Sequence, residues 1–348
     1  MAVTGAASGI GRALAARLVD LREVKRVIGI DDRRGELEGV EWRVLDVRDP
    51  AIAARIVKCD VVVHLAFDGS PDSKPQQRSA RNVGSAQTVL TAAAAAGVPR
   101  VVLCTSAMVY GAASDNPVPL EEEGPLRARP EGIVSDYLEI EWLARRAPKA
   151  HPGLSVTVLR PAMVVGPGVD TYLTRHFEAA RLLVIRGSKP KWQFCHVDDL
   201  VSALEFAVLG KVDGAVTVGC DGYLEQDEVE MLTGLPRLEL PEALAMGAAE
   251  RLHRLGLTPA PASDLAYVSH PWVVSSAKLR AAGWRPAYDN VTACETLAIE
   301  VAGKHAALGR RIGKRETATL GAAGATVALL GTAAVVRRAR RKRSRGGR

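Results

Sequence analysis

The sequence predicts an α/β fold: a doubly wound parallel sheet, a smaller C-terminal lobe and an appended C-terminal apolar helix. Three observations predict it. Over the first 110 residues, short β-rich runs alternate with Ala-rich helical stretches. The runs are apolar throughout instead of alternating, the pattern of parallel strands covered by helices on both faces. After about residue 160 the regularity falls, and eight prolines from Pro167 to Pro286 cut the chain into short pieces, as a second lobe would require.

Met1–Thr4 is a short first strand, short enough to suggest that the natural start lies upstream. A helix near 10–20 carries Ala13-Leu14-Ala15-Ala16-Arg17-Leu18, and Val27-Ile28-Gly29-Ile30 is the second strand. Helical segments near 50–57 and 80–97 alternate with the strands Val61–Leu65 and Arg100–Cys104. A helix around 137–147 precedes the strand Ser155–Leu159, which Arg160-Pro161 ends. Leu200–Leu209 reads as an apolar helix whose N–H groups Asp198 and Asp199 would cap. No internal repeat is visible.

The 348 residues are 47% apolar, enough for a substantial core, and carry a formal net charge of +7. The charge divides at Lys304. From there on, 13 Lys/Arg face one acid, a net +12, which leaves 33 Lys/Arg against 38 Asp/Glu, a net −5, in residues 1–303. A mildly acidic body therefore precedes a basic tail. Within that tail, residues 317–336 are uncharged and as a helix would span about 30 Å, the thickness of a bilayer core. Arginines and lysines flank the run on both sides. It holds four Thr, three Gly and only six Leu/Val, so the drive to insert is weak. The more basic side is the short C-terminus, which sits awkwardly with a cytoplasmic body. Membrane association through 317–348, as a weak anchor or a helix on anionic lipid, is expected; an Ala/Gly-rich surface helix with a basic tail is the plainer alternative. Specific nucleic-acid binding is not expected, because the tail has no aromatic residue for stacking. Five scattered cysteines without a CxxC pair suit a reduced, cytoplasmic body, and no signal peptide is expected. Histidines and cysteines show no metal spacing.

Thr4-Gly5-Ala6-Ala7-Ser8-Gly9-Ile10-Gly11 leaves a strand and opens a helix. Glycines there let the backbone turn and approach a pyrophosphate, and the helix N-terminus presents N–H groups and positive dipole. Some twenty residues on, the second strand ends Ile30-Asp31-Asp32. An acid there holds ribose hydroxyls and repels a 2′-phosphate, so NAD is favoured over NADP, with Arg33 and Arg34 softening the preference. A solvated turn acid is the alternative reading of Asp31. These features make the expected fold Rossmann-type.

From Val3 to about Ala298 the sequence resembles the extended short-chain dehydrogenase/reductases, the NAD-dependent epimerase/dehydratase family of which UDP-galactose 4-epimerase is one member. Thr4–Gly11 resembles the cofactor loop, Asp46-Val47-Arg48-Asp49 the adenine-side contact, and His64-Leu65-Ala66 the strand end at the nicotinamide ribose. Asn82-Val83-Gly84-Ser85, Ser106–Gly111, Arg160–Gly168, Phe194–Asp199 and Lys278–Pro286 resemble further family signatures in the family's order. The glycine spacing is GxxxGxG where the extended branch usually has GxxGxxG. The resemblance implies cofactor contacts at Gly5, Gly9, Ile10, Gly11, Asp31, Asp46, Val47, Leu65, Ala66, Asn82 and Pro161, with NAD as the cofactor. It implies Ser106 and Tyr137 as the catalytic pair, and a homodimer through the helices 80–97 and 137–147.

The resemblance also exposes a missing part. The family's tyrosine is followed four residues later by a lysine that lowers the phenol pKa, since a free phenol near 10 is mostly protonated at pH 7. Here that position is Glu141, and none of the six tyrosines has a lysine at i+4. A carboxylate one turn away raises a phenol pKa; Arg145, one turn further on, is placed to pair with Glu141. Three readings of Tyr137 stay open: a slow catalyst, a residue of an NAD-binding protein that does not turn over, or an aromatic at a lobe interface. The substrate side departs too, with Met163 and Val165 where the family has Asn and Tyr, which suits a less polar small-molecule ligand.

The expected organisation is thus an NAD-binding core over 1–160 and a substrate lobe over 161–303 with segments returning to the core. A basic linker (304–316), a candidate membrane helix (317–336) and a basic tail (337–348) follow. The expected function is NAD-dependent hydride transfer at a hydroxyl of a sugar nucleotide or similar substrate. The alternatives are a catalytically impaired NAD-binding scaffold or sensor at the membrane, and a steroid or lipid hydroxyl dehydrogenase.

Overall fold

The computed structural model describes residues 1–304 apart from 257 and 259, and the backbone of Ala306–Ala307 and Arg310–Arg311, which pair as a short antiparallel ladder. The candidate membrane helix and the basic tail lie outside the described residues. Among the described residues no helix is long and apolar enough to cross a membrane.

The first half winds β1 (Ala2–Thr4), α1 (Gly9–Val19), β2 (Val27–Asp31), β3 (Val40–Val44), α2 (Ile52–Arg55), β4 (Val61–His64), α3 (Pro75–Ala95) and β5 (Arg100–Cys104). A 3-10 turn, Ala107–Tyr110, then leads to α4 (Gly132–Ala150) and β6 (Ser155–Pro161). The second half runs through β7 (Met163–Val165), α5 (Tyr172–His176), β8 (Leu182–Ile185), β9 (Lys191–Trp192), β10 (Phe194–His196), α6 (Val197–Val208) and β11 (Gly214–Val218). It continues through β12 (Leu224–Glu225), α7 (Gln226–Thr233), β13 (Arg237–Leu240) and α8 (Glu242–Arg254), and closes with a 3-10 turn at Ala262–Val268, α9 (Ala277–Ala281) and α10 (Asn290–Val301).

The seven-stranded sheet has the order β11-β6-β5-β4-β1-β2-β3, and every pairing in it is parallel. The apolar strands are buried on both faces, as expected. Val3, Val63 and Val102 face a core shared with α1, while Ile28, Ile30, Val62 and Val101 face one shared with α3 and α4. The chain leaves β1 in one direction and returns to β4 on its other side, so a crevice opens at the carboxyl ends of β1 and β4. Two segments of the second half rejoin the first: β11 pairs with β6, and α6 packs on α1.

Two expectations need correction. The helix after β10 starts at Val197 and is capped by the His196 ring, whose Nδ1 accepts from the Asp198 amide at 3.2 Å. Asp199 instead accepts the amides of Ala287 and Tyr288, pinning the chain before α10. The helix expected over 50–57 is a single turn, and those expected over 80–97 and 137–147 begin five residues earlier, at Pro75 and Gly132. Pro75 occupies the first helical position, where its missing N–H costs nothing.

Candidate active site

The crevice is built on Thr4. Its hydroxyl lies 2.8 Å from His64 Nδ1 and accepts the amides of Leu65 (3.1 Å) and Ala66 (3.3 Å). Ser85 Oγ lies 3.2 Å from the other ring nitrogen. Burial lowers the His64 pKa to about 4, so the ring is neutral and satisfied, as a core histidine should be. The ends of β1 and β4 are thereby locked edge to edge.

The glycines divide into two kinds. A Cβ on Gly5 would meet the Leu65 carbonyl oxygen at 2.7 Å, and one on Gly11 would meet the Gly5 carbonyl oxygen at 2.1 Å. Both are bare because backbone passes over them. Gly9, at φ +53°, has nothing within 4 Å of the space a Cβ would take. That opening lies at the start of α1, where Ser8 forms no side-chain cap and Ile10 is half-buried. The result is a cradle of backbone N–H groups and helix dipole that no side chain fills, which fits a pyrophosphate. Asp31 stands beside it; one carboxylate oxygen accepts the Ala7 amide at 2.9 Å and the other the Asp32 amide at 2.9 Å. Burial raises its pKa. Each oxygen retains a further lone pair for a ribose hydroxyl.

The remaining cofactor-side residues spread along the same edge. Asp46 is exposed and chelated by Arg48, whose hydrogen bonds hold its carboxyl down at about 2; the neighbouring Val47 is buried. Pro161 ends β6, next to β5 in the sheet. Asn82, on α3, is fully buried and acts as a clamp. Its carbonyl accepts the Asp68 amide (2.8 Å), and its amide donates to the Asp68 carbonyl (3.0 Å) and to Asp136 Oδ2 (3.0 Å). Arg78, one turn earlier, reaches the same Asp136 oxygen at 3.1 Å.

Tyr137 follows Asp136 on α4, and its ring stacks on Phe67 with centroids 5.0 Å apart and planes 12° from parallel. Phe67 follows Ala66, so the phenol lies over the end of β4. Burial raises its pKa, with further upward pushes from Cys104 and Asp136 and only Arg78 opposing them. Ser106, just past β5, caps the 3-10 turn by accepting the Met108 amide at 3.2 Å. Ser106 thus lies just past the end of β5, and Tyr137, on α4, stacks on Phe67 just past the end of the neighbouring β4.

Glu141 does not face that crevice. Its carboxylate is buried (1% exposed) and accepts Thr105 Oγ1 (2.8 Å) and two nitrogens of Arg160, Nε at 2.8 Å and Nη2 at 2.6 Å. The expected pairing with Arg145 is thus replaced: β6 delivers Arg160 underneath α4, from 19 positions along the chain. Arg160 Nη1 also donates to the Tyr110 hydroxyl (2.8 Å) and the Glu122 carbonyl (2.9 Å). Met163 and Val165 are likewise buried, on β7.

Phe67, Asp136 and Arg78 were not singled out from the sequence as parts of this site, and Arg160 only as the first residue of a family signature. Each acts through a partner from another element, and no spacing in the chain announces such a partner.

A parallel doubly wound sheet with an open glycine cradle at its switch point defines a dinucleotide-binding α/β protein. Residues 1–219 match the NAD dependent epimerase/dehydratase family. The chain belongs to that family, and its cofactor is NAD. An uncharacterised protein of Mycobacterium tuberculosis (strain ATCC 25618 / H37Rv) is 29% identical over 306 residues, covering 84% of this chain and 81% of the relative. Among solved structures, a UDP-galactose 4-epimerase shares the fold at TM-score 0.62 and 22% identity, with 86% of this chain and 98% of that one covered. The UDP-glucose 4-epimerase of Thermus thermophilus, solved with NAD, does so at TM-score 0.64 and 20% identity, with 87% and 98% covered.

Proposed function

We propose that the protein oxidises a hydroxyl of a sugar nucleotide or similar substrate with NAD, either returning the hydrogen, as an epimerase does, or releasing an oxidised product. The observation that carries this reading is the joint placement of the open Gly9 cradle, Asp31, Ser106 and Tyr137 around one crevice. When bound, NAD would supply the oxidant. Gly5, Gly9, Ile10 and Gly11 hold its pyrophosphate, and Asp31 its adenine-side ribose, with Asp46 and Val47 at the adenine. Leu65, Ala66, Asn82 and Pro161 line the nicotinamide side. Ser106 and Tyr137 both donate hydrogen bonds to the substrate oxygen, since a phenol pushed above its ordinary pKa stays protonated and polarises rather than deprotonates.

The test begins with the purified protein, whose nicotinamide content is measured by absorbance and enzymatic release. Absorbance at 340 nm is then followed as UDP-sugars, dTDP-sugars and hydroxysteroids are added. Growth of that band with a sugar nucleotide supports the reading; absence of nicotinamide binding refutes it. A band raised only by hydroxysteroids favours a steroid or lipid dehydrogenase. A second reading, an NAD-binding scaffold with little turnover, is favoured by the commitment of Glu141 to Arg160, which leaves no lysine beside Tyr137. It predicts bound cofactor that no donor reduces. A homodimer is proposed through α3 and α4, where Trp142 is 50% exposed with Arg146 Cζ 4.5 Å above its ring. A body held at a membrane by the tail remains a proposal resting on the sequence of 317–348 alone.

A further inference from the structure

The 3-10 turn Ala262–Val268 is docked on both elements that carry the catalytic pair. Tyr267 donates its hydroxyl to the Met108 carbonyl at 2.8 Å, inside the turn that Ser106 caps. At the other end, Ser263 Oγ donates to Glu131 at 2.7 Å, just before α4. Pro261 Cδ would lie 2.9 Å from a Cβ on Gly132, the first residue of α4, five positions before Tyr137. Between these anchors sits Asp264, 3% exposed, with Oδ2 3.8 Å from the same Gly132 position. Its carboxylate has no hydrogen-bond partner among the described residues, in a protein whose other buried carboxylates, such as Asp136, Glu141 and Asp199, are bonded. A carboxylate so little exposed and bonded to no protein group calls for a reason.

We infer that Asp264 is the proton acceptor of this crevice, the role that the tyrosine–lysine pair fills in relatives retaining the lysine. The inference rests on the oxidoreductase reading above. As the substrate carbinol is oxidised, its C–H bond breaks, with the hydrogen and electron pair accepted by the nicotinamide. The hydroxyl O–H bond breaks with it, a C=O bond forms, and the proton passes to the Asp264 carboxylate. Return of hydrogen to the carbonyl reverses each transfer.

The surroundings suit the role. Burial, and then the Glu131 charge, raise the Asp264 pKa to about 7, opposed by Arg78, so the group exchanges its proton near neutrality, where a general base works best. Arg78 is also the cation acting on Tyr137, which places both groups in the field of one guanidinium. Tyr172, on α5, and Tyr267 feel the Asp264 charge in turn, and burial followed by that charge keeps both phenols protonated. The helix α8, packed on the same turn, keeps Glu242, Glu250, Arg251, His253 and Arg254 exposed.

The test has two arms on the intact protein. Without substrate, carboxyl-¹³C aspartate labelling, with Asp264→Asn to assign the signal, reads the titration directly. A carboxyl titrating near pH 7 is expected; titration of every aspartate below pH 5 overturns the inference. With a sugar nucleotide that reduces the bound cofactor, single-turnover reduction is compared in the parent, Asp264→Asn and Asp264→Glu. The Asn variant should bind NAD normally, react at least about 100-fold more slowly and lose the rise in rate around pH 7, with partial recovery in the Glu variant. Parental rates in Asp264→Asn overturn this inference and leave the oxidoreductase reading intact. Failure of every donor with the parent protein overturns both.

Discussion

Replacing Glu141 by lysine would restore the family's spacing of tyrosine and lysine in sequence, yet the structure predicts a damaged protein instead of a repaired enzyme. The side chain at 141 points into a compartment where Arg160 is 2% exposed and donates two hydrogen bonds to it. Lysine there removes the counter-charge, sets a second cation against the guanidinium and leaves the Thr105 hydroxyl only the more distant Leu159 carbonyl, at 3.4 Å. Breaking a buried pair by removing one partner costs about 3–5 kcal/mol before like-charge repulsion is added. At roughly 2–4 °C per kcal/mol, the scale for domains of about 150–250 residues and an upper bound for a longer chain, the melting midpoint should fall by up to about 6–20 °C. Thermal unfolding by far-UV circular dichroism reads this directly. The double change Glu141→Met with Arg160→Met, which removes both charges and keeps the volume, should recover most of the loss. A Glu141→Lys protein melting within about 1 °C of the parent, or one that reduces its cofactor faster, would show that position 141 faces the crevice and would refute the reasoning.

Three further outcomes follow from the same geometry. Gly11→Ala should disrupt the loop, because its Cβ would lie 2.1 Å from a backbone oxygen, whereas Gly9→Ala should fold with a penalty of about 1 kcal/mol and lose most NAD affinity; equal melting points for the two would contradict this. Asp31→Ser should narrow the preference for NAD over NADP by about tenfold or more in calorimetric titrations, as the charge facing a 2′-phosphate is removed. For Asp264, the folded pKa of about 7 exceeds the ordinary 3.8, so between those values the folded state holds a proton that the unfolded state has lost. Stability therefore falls as pH rises from about 4 to 7. Asp264→Asn should match the parent at pH 4 and exceed it at pH 8 by up to about 4 kcal/mol in urea unfolding; a gap independent of pH would rule out that titration.

What could be read in the sequence was what local chemistry dictates. Val61–Leu65 and Arg100–Cys104 had to be doubly covered strands, and Gly5, Gly9 and Gly11 had to form a turn. The absent lysine was equally visible. Its consequence was not, because Arg160 meets Glu141 only once β6 lies beneath α4, a relation between elements that no spacing encodes. Asp264 sits in a proline-broken stretch without a motif, so neither periodicity nor resemblance marked it. Capping at Val197 was misjudged for a similar reason: Asp199 looked like a cap, but its oxygens are taken by the amides of Ala287 and Tyr288, 88 and 89 residues away.

Arg160 also has a mechanical consequence. Through Tyr110 and the Glu122 carbonyl it ties α4 to the loop over residues 121–122, and the Glu122 side chain accepts from Thr217 on β11. This corner is stitched by buried, water-excluded bonds. Arg175 of α5, whose side chain is 1% exposed, makes a second such tie: it pairs with Asp170 and reaches back to Asp72 after β4. Two buried arginines, one at the end of β6 and one on α5, thus fasten the second half of the chain to the first at separate places, so a change at either should loosen the junction between the halves.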